Sequence, residues 1–201
     1  MRTNSGEING GLRERKKEAT RKALHEATMR LAVEHGLDEV TVEAIADAAG
    51  VSRRTFSNYF AGKEDALLYG DEQRIRVLME TFGARPPGES SWTALRVSFH
   101  AIVDGVGEAD LRWAAQARLA RVHSSVQARQ LARYATFELT LAELIAARDG
   151  LPPGGARSRA MAGAFMAALR IAAHVWSDER SPRTLGEIAD ELLDELATPF
   201  E

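Results

Sequence analysis

The chain has 201 residues, 45% of them hydrophobic and 27% charged, with no cysteine and a formal net charge of −3. That balance fits a soluble globular protein of one large or two small domains, and it excludes a disulfide framework, a thiolate nucleophile and a cysteine zinc site. The charge is uneven: residues 1–63 carry 11 Lys and Arg against 9 Asp and Glu, whereas the remainder carries 15 against 20, so a polyanion is drawn to the N-terminal third.

Residues 1–11, "MRTNSGEINGG", have no apolar core of a signal sequence and read as a disordered lead-in. A basic helix is expected from about Leu12 to His35, with Leu24, Ala27 and Leu31 at helical spacing and Gly36 as its stop. Thr41 is the expected N-cap of a short helix striped by Val42, Ile45 and Ala49, with Glu43 near its positive end. Gly50 ends that helix, and Ser52 caps a second that runs over Arg53–Phe60. After a turn at Gly62 a long helix is expected over about 63–82.

"GARPPGESS" (83–91) is a loop, followed by helices at about 92–106, 109–122 and 124–149. "GLPPGGA" (150–156) is a second break. It precedes a helix at about 157–177, a loop at 178–184 and a last helix at 185–197. The apolar run 160–176 is interrupted by Arg170 and is alanine-rich, so it reads as a buried helix and not as a membrane span. No strand signal stands out. The fold class is therefore all-α, with about nine helices.

The segment Arg53–Phe60 is unusual for its length. With Phe56 set at zero on a helical wheel, Phe60 falls at about 40° and Tyr59 at about −60°, while Ser57, Arg54 and Asn58 fall at about 100°, 160° and 200°. One face is aromatic and the other carries donors and acceptors. A DNA major groove admits one helix, where Arg can bond bidentately to guanine and Asn to adenine. Two short helices around a glycine turn are the geometry of a helix-turn-helix.

"TVEAIADAAGVSRRTFSNYFAGKEDAL", preceded by the basic "RKKEATRKALHEATMRLAVEHG", resembles the DNA-binding signature of the tetracycline-repressor (TetR) family of bacterial regulators. The resemblance covers about residues 12–70. It implies an N-terminal three-helix DNA-binding domain over 1–65 and a C-terminal ligand-binding and dimerisation domain over 66–201. It further implies a cytoplasmic homodimer on a palindromic operator, most often a repressor released by a small molecule. Arg53, Arg54, Thr55, Ser57 and Asn58 would face bases or nearby phosphates, and Thr41, Tyr59 and Lys63 would contact phosphates. Gly62 stands where the family often has a capping Ser, and Ser57 and Asn58 stand where it often has bulky aromatics.

For the rear of the chain the resemblance implies dimerisation through the helices at about 157–177 and 185–197. It also implies a cavity whose candidate residues are Phe99, Trp113, Phe137, Phe165, Met166 and Trp176, with His100 and His123 as polar contacts. "GLRERKKEATRKAL" and "RTFSNYF" are most similar to a branch described as binding acyl-CoA-like ligands. The alternatives are a helix-turn-helix regulator with no small-molecule effector, or an activator. An enzyme is not expected, because GxSxG, HExxH, a P-loop and a strand-borne GxGxxG are all missing. No cofactor is implied; His100 and Asp104 at i,i+4 are too few to hold a metal.

Overall fold

A computed structural model describes residues 5–103, 107–178 and 183–197. Among them are ten α-helices, one 3₁₀ turn and no strand. The chain divides into two compact units, Met1–Gly70 and Asp71–Glu201.

The first unit holds α1 (Ser5–His35), the 3₁₀ turn Leu37–Glu39, α2 (Val42–Ala48), α3 (Arg53–Tyr59) and α4 (Lys63–Leu67). Helix α1 begins seven residues before the expected Leu12, within the segment read as disordered; once a helix exists, each added residue brings one backbone hydrogen bond. Residues 1–4 of that segment lie outside the described ones. Leu24, Leu37, Ile45, Phe56, Leu67 and Leu68 are fully buried and form the centre of this head. Thr28, also fully buried, satisfies its hydroxyl on the Leu24 carbonyl at 2.8 Å.

The turn between α2 and α3 is set by Gly50, whose φ of 68° lies in the left-handed region that a side chain disfavours. Around it Val51 N–H bonds back to Ala46 O at 2.9 Å and Ala49 N–H to Ile45 O at 3.0 Å, which closes the end of α2.

The expected continuous helix from 63 to 82 is instead two, α4 and α5 (Tyr69–Gly83). The cause is burial: Asp65, Ala66, Leu67, Leu68 and Tyr69 are consecutive and all buried. A straight helix on a surface buries only a stripe at i, i+3 and i+4, so the axis must turn at Leu68. This break raises the count from nine to ten.

The second unit contains most of α5, then α6 (Ser91–Val103), α7 (Gly107–Val122), α8 (Ser124–Asp149), α9 (Ala156–Asp178) and α10 (Leu185–Ala197). The expected end of the sixth helix at Val106 lies outside the described residues. Helix α9 packs on α7, α8 and α10, and its Phe165 meets Trp92 of α6 edge to face at 6.2 Å. Leu78, Leu95, Leu141, Ile145 and Met161 complete this core. Helix α8 ends on Gly150, in a left-handed cap at φ 64° and ψ 28°. Helix α10 opens with a capping box, Glu187 N–H to Thr184 Oγ1 at 3.2 Å and Thr184 N–H to Glu187 Oε2 at 2.7 Å.

Helix α9 is long and apolar enough to cross a membrane by length and composition alone, with 39% of its most apolar window buried inside the chain. A core helix of a soluble protein passes the same test, and Met161, Ala162, Phe165, Ala168 and Ala172 are all core residues.

Candidate nucleic-acid interface and cavity

In the head, α3 is anchored by rings. Phe56 and Phe60 are buried with centroids 5.9 Å apart, and Phe60 meets Tyr69 edge-on at 5.7 Å. Tyr69 in turn meets His25 at 5.9 Å and donates its hydroxyl to Glu18; His25 Nδ1–H donates to Ala66 O at 2.8 Å. Each aromatic pair adds about 0.5–1.5 kcal/mol beyond its burial, enough to fix a helix of seven residues that would not persist alone.

The opposite face is open. Arg53, Arg54, Ser57 and Asn58 are exposed, and Tyr59 is half-buried. Among the described residues no hydrogen bond or ion pair engages Arg54, Ser57 or Asn58. Arg53 reaches across the turn to Glu43 at 2.8 Å. Both partners are well exposed, so the pair is worth under about 1 kcal/mol and yields readily to a phosphate or a base. The half-buried Thr55 does something else: its amide donates to Ser52 Oγ at 3.1 Å and its hydroxyl sits 2.9 Å from the same atom, locking the N-cap of α3. Thr41 Oγ1 accepts Ala44 N–H at 3.1 Å, which caps α2 and leaves the hydroxyl proton free to donate.

Lys63 faces inward. Its ammonium donates to Leu37 O at 2.9 Å, Val40 O at 3.0 Å and Asp38 O at 3.3 Å. All three N–H bonds end on carbonyls of the 3₁₀ turn and its cap. A phosphate would have to displace one of them.

The second unit holds a narrow cavity of about 60 Å³, half-open to solvent, with room for a few water molecules. Its apolar wall is Ile75, Leu78, Phe99, Ile102, Met166 and Leu169. The polar side is a network around Asp71, which is buried. Asp71 Oδ1 takes Arg74 Nη2 at 2.5 Å, and Oδ2 takes Gln130 Nε2 at 2.7 Å and the Tyr134 hydroxyl at 3.3 Å. Arg74 also donates to Gln116 Oε1 at 2.9 Å and lies 4.3 Å over the Trp113 ring. Burial, then the Asp71 charge, push the Tyr134 phenol well above its ordinary range, so it stays a donor.

Two family profiles match the chain: bacterial regulatory proteins of the tetR family over residues 24–69, and the MftR C-terminal domain over residues 89–201. The regulator TcmR of Streptomyces glaucescens, described as HTH-type, is 31% identical over 173 residues, covering 83% of this chain and 76% of that protein. The chain belongs to the TetR family. A solved Thermus thermophilus FadR, a TetR-family repressor in complex with lauroyl-CoA, is 27% identical with a TM-score of 0.58, covering 88% of this chain and 93% of that one. SmeT of Stenotrophomonas maltophilia, solved with triclosan, shares the fold at TM-score 0.64 and 20% identity, covering 90% and 91%. TetR proteins are transcriptional regulators and not enzymes, so the helix-turn-helix and the all-α architecture have their explanation in one lineage.

For a TetR protein the second-unit candidates fall in two groups. The cavity brings together Phe99, Trp113 and Met166. Phe165 is instead fully buried against Trp92, and Trp176 packs edge-on to Trp113 at 6.0 Å, behind the cavity lining. Phe137 packs half-buried against the core, and His123 forms the cap of α8, its carbonyl accepting Gln127 N–H at 3.0 Å. His100 Nε2 binds both oxygens of Asp190 at 3.0 and 3.1 Å, joining α6 to α10. Asp190 lies below its ordinary range: burial pushes it up, but the bonds from His100 and Arg96 outweigh that. Asp104 lies outside the described residues. Sequence reasoning missed Asp71, Arg74, Gln130, Tyr134 and Arg170. Their signal was helical spacing of complementary groups, Asp71 with Arg74 at i,i+3 and Gln130 with Tyr134 at i,i+4.

Proposed function

We propose that this TetR protein is a cytoplasmic repressor that binds a palindromic operator as a homodimer and is released by a small molecule held in the second unit. The observation that carries the DNA-binding part is the division of α3. Its phenylalanines are buried, while Arg53, Arg54, Ser57 and Asn58 are exposed at the start and along one side, where recognition helices meet base edges. In this reading Arg54 and Asn58 read bases, Ser57 contacts a base or sugar, Arg53 is shared between base and phosphate, and Thr41 and Tyr59 hold phosphates. Thr55 and Lys63 keep the head in shape.

The dimer rests on α9 and α10. Less than half of the most apolar window of α9 is buried within one chain. Ala160, Ala164, Ala167 and Ile171 recur at helical spacing on it, none of them buried and Ile171 42% exposed. Small residues let a second copy approach closely. Two heads then meet major grooves about 34 Å apart.

The effector acts by population shift, favouring a form whose recognition helices are wrongly spaced; a preference of about 3 kcal/mol weakens operator binding by roughly a hundredfold. Helix α5 supports the ligand part, since it carries the cavity residues Asp71, Arg74, Ile75 and Leu78. FadR's lauroyl-CoA is a model for the ligand, although a twelve-carbon chain needs the cavity to open well beyond its present size.

Selection of bound fragments from genomic DNA, followed by titration on the selected duplex, tests the reading. Sedimentation of wild type and Ile171→Glu tests the dimer: the variant is expected to be monomeric and to lose operator affinity. A wild-type protein that stays monomeric and shows no preference for any duplex over competitor sinks the proposal.

A further inference from the structure

Every charge lining the cavity is matched except one. Asp71 is held by Arg74, Gln130 and Tyr134, and Arg74 is spent on Asp71, Gln116 and the Trp113 ring. Arg170 lines both the main cavity and the polar recess beside it, which is bounded by Gln130, Tyr134 and His174. Among the described residues no hydrogen bond or ion pair engages it. One carboxylate therefore faces two guanidiniums, and the surplus positive charge sits on α9 next to an apolar wall.

We propose that the occupant of this cavity is a small hydrophobic monoanion, a carboxylate or phenolate on one ring or a short chain, whose charged end pairs with Arg170 and whose body lies on Phe99, Leu169 and Met166. This rests on the effector reading above and narrows it to a chemical class. Size and charge act together. As it stands the pocket has room for only a few waters, so even a one-ring or short-chain acid must widen it, and a small ligand asks the least widening. A wall of six hydrophobic side chains disfavours a small polar ion. A half-buried guanidinium with no partner among the described residues, set beside an apolar wall, favours a planar two-oxygen anion, which it can grip with two parallel N–H bonds. Asp71 repels the anion from the other polar corner and so fixes its orientation. His174 does not compete for it: burial first, then Arg170 and Arg121, hold that imidazole below its usual range, in the neutral form at pH 7.

The test uses benzoate, phenylacetate, 3-phenylpropionate and octanoate against their uncharged amides, with the full-length protein, by calorimetry and thermal shift. At least one acid is expected to bind roughly tenfold or more tightly than its amide and to release the protein from its selected operator. Arg170→Met should erase the acid-over-amide preference, and Arg170→Lys should keep part of it. Circular dichroism checks that both variants are folded. Equal binding of acid and amide, a preference that survives Arg170→Met, or no binding by any acid overturns the inference. Operator affinity without ligand separates the two levels. If it is intact while the acids fail, only the ligand class is wrong; if no duplex is preferred, the regulator reading itself has failed.

Discussion

Replacing Lys63 by Met removes the ammonium but keeps the aliphatic stem, so it isolates three hydrogen bonds. Two of them, to Leu37 O at 2.9 Å and Val40 O at 3.0 Å, have good length; the third, to Asp38 O, is long at 3.3 Å. A hydrogen bond to a charged group contributes about 1.5–3 kcal/mol. Lys63 is half-buried and water can replace part of the loss, so the variant should cost about 2–4 kcal/mol. For a domain of the head's size that lowers melting by on the order of 10–20 °C. The measurement is circular dichroism melting alongside operator titration at several salt concentrations. Stability and operator affinity should fall together, while the slope of log affinity against log salt stays unchanged, because the charge is spent inside the fold. A phosphate contact gives the opposite pattern, a slope smaller by about 0.9 for each bound head. That outcome with unaltered melting would refute the bracing role.

Three further substitutions probe other parts of the molecule. Arg54→Ala and Asn58→Ala should each cost about 1–3 kcal/mol on the operator and little on random duplex; equal losses on both, by fluorescence anisotropy, contradict base reading. Glu43→Gln releases Arg53 from its 2.8 Å pair and removes a carboxylate beside the exposed side of α3. Binding to all duplexes should tighten several-fold at low salt with melting nearly unchanged, and weaker binding counts against Arg53 as a DNA contact. His174 is held below 6.5 by burial and then by Arg170 and Arg121. The unfolded chain therefore takes up its proton first as pH falls. The stability that the neutral ring contributes is present above about pH 6.5 and is lost as pH drops through the folded value. His174→Gln should flatten the fall in melting temperature between pH 7.5 and 5; an identical slope removes His174 as its source.

What the sequence made legible was short in range. The caps at Thr41 and Ser52, the turn at Gly50 and the exposed side of Arg53–Asn58 follow from neighbours within four residues, where helical geometry leaves little freedom. The bonds of Lys63 to the 3₁₀ turn were not legible, because its partners lie 23 to 26 residues earlier, on a turn whose geometry no periodicity announced. The break at Leu68 was hidden for a related reason. Consecutive leucines fit a helix by propensity, and only the surrounding burial shows that one straight axis cannot serve them. In the second unit, residue type separates apolar from polar but not cavity wall from core. Phe99 and Phe165 are both buried aromatics, yet Phe99 lines the cavity and Phe165 packs on Trp92.

The Asp71 network bears on how the proposed cavity would discriminate among ligands. A buried ion pair is weak evidence for stability, since a well-packed apolar replacement is often neutral or better. Asp71 and Arg74 sit in a wall that Ile75 and Leu78 of the same helix show could have been apolar. An all-apolar wall would admit any lipophile of the right size. The network instead fills one side with matched groups that gain nothing from a neutral ligand, and it presents a carboxylate that repels an anion approaching from the wrong end. Among the described residues Arg170 is the one charge of the lining left unmatched. Neutralising Asp71 should therefore loosen discrimination more than it alters folding. In Asp71→Asn the amide oxygen can still accept from Arg74, but the repulsion is gone, and Arg74 becomes a second unpaired cation. Small acids should then bind more tightly and with less regard for shape. If Asp71→Asn weakened acid binding instead, the repulsive, orienting role given to this carboxylate would be refuted.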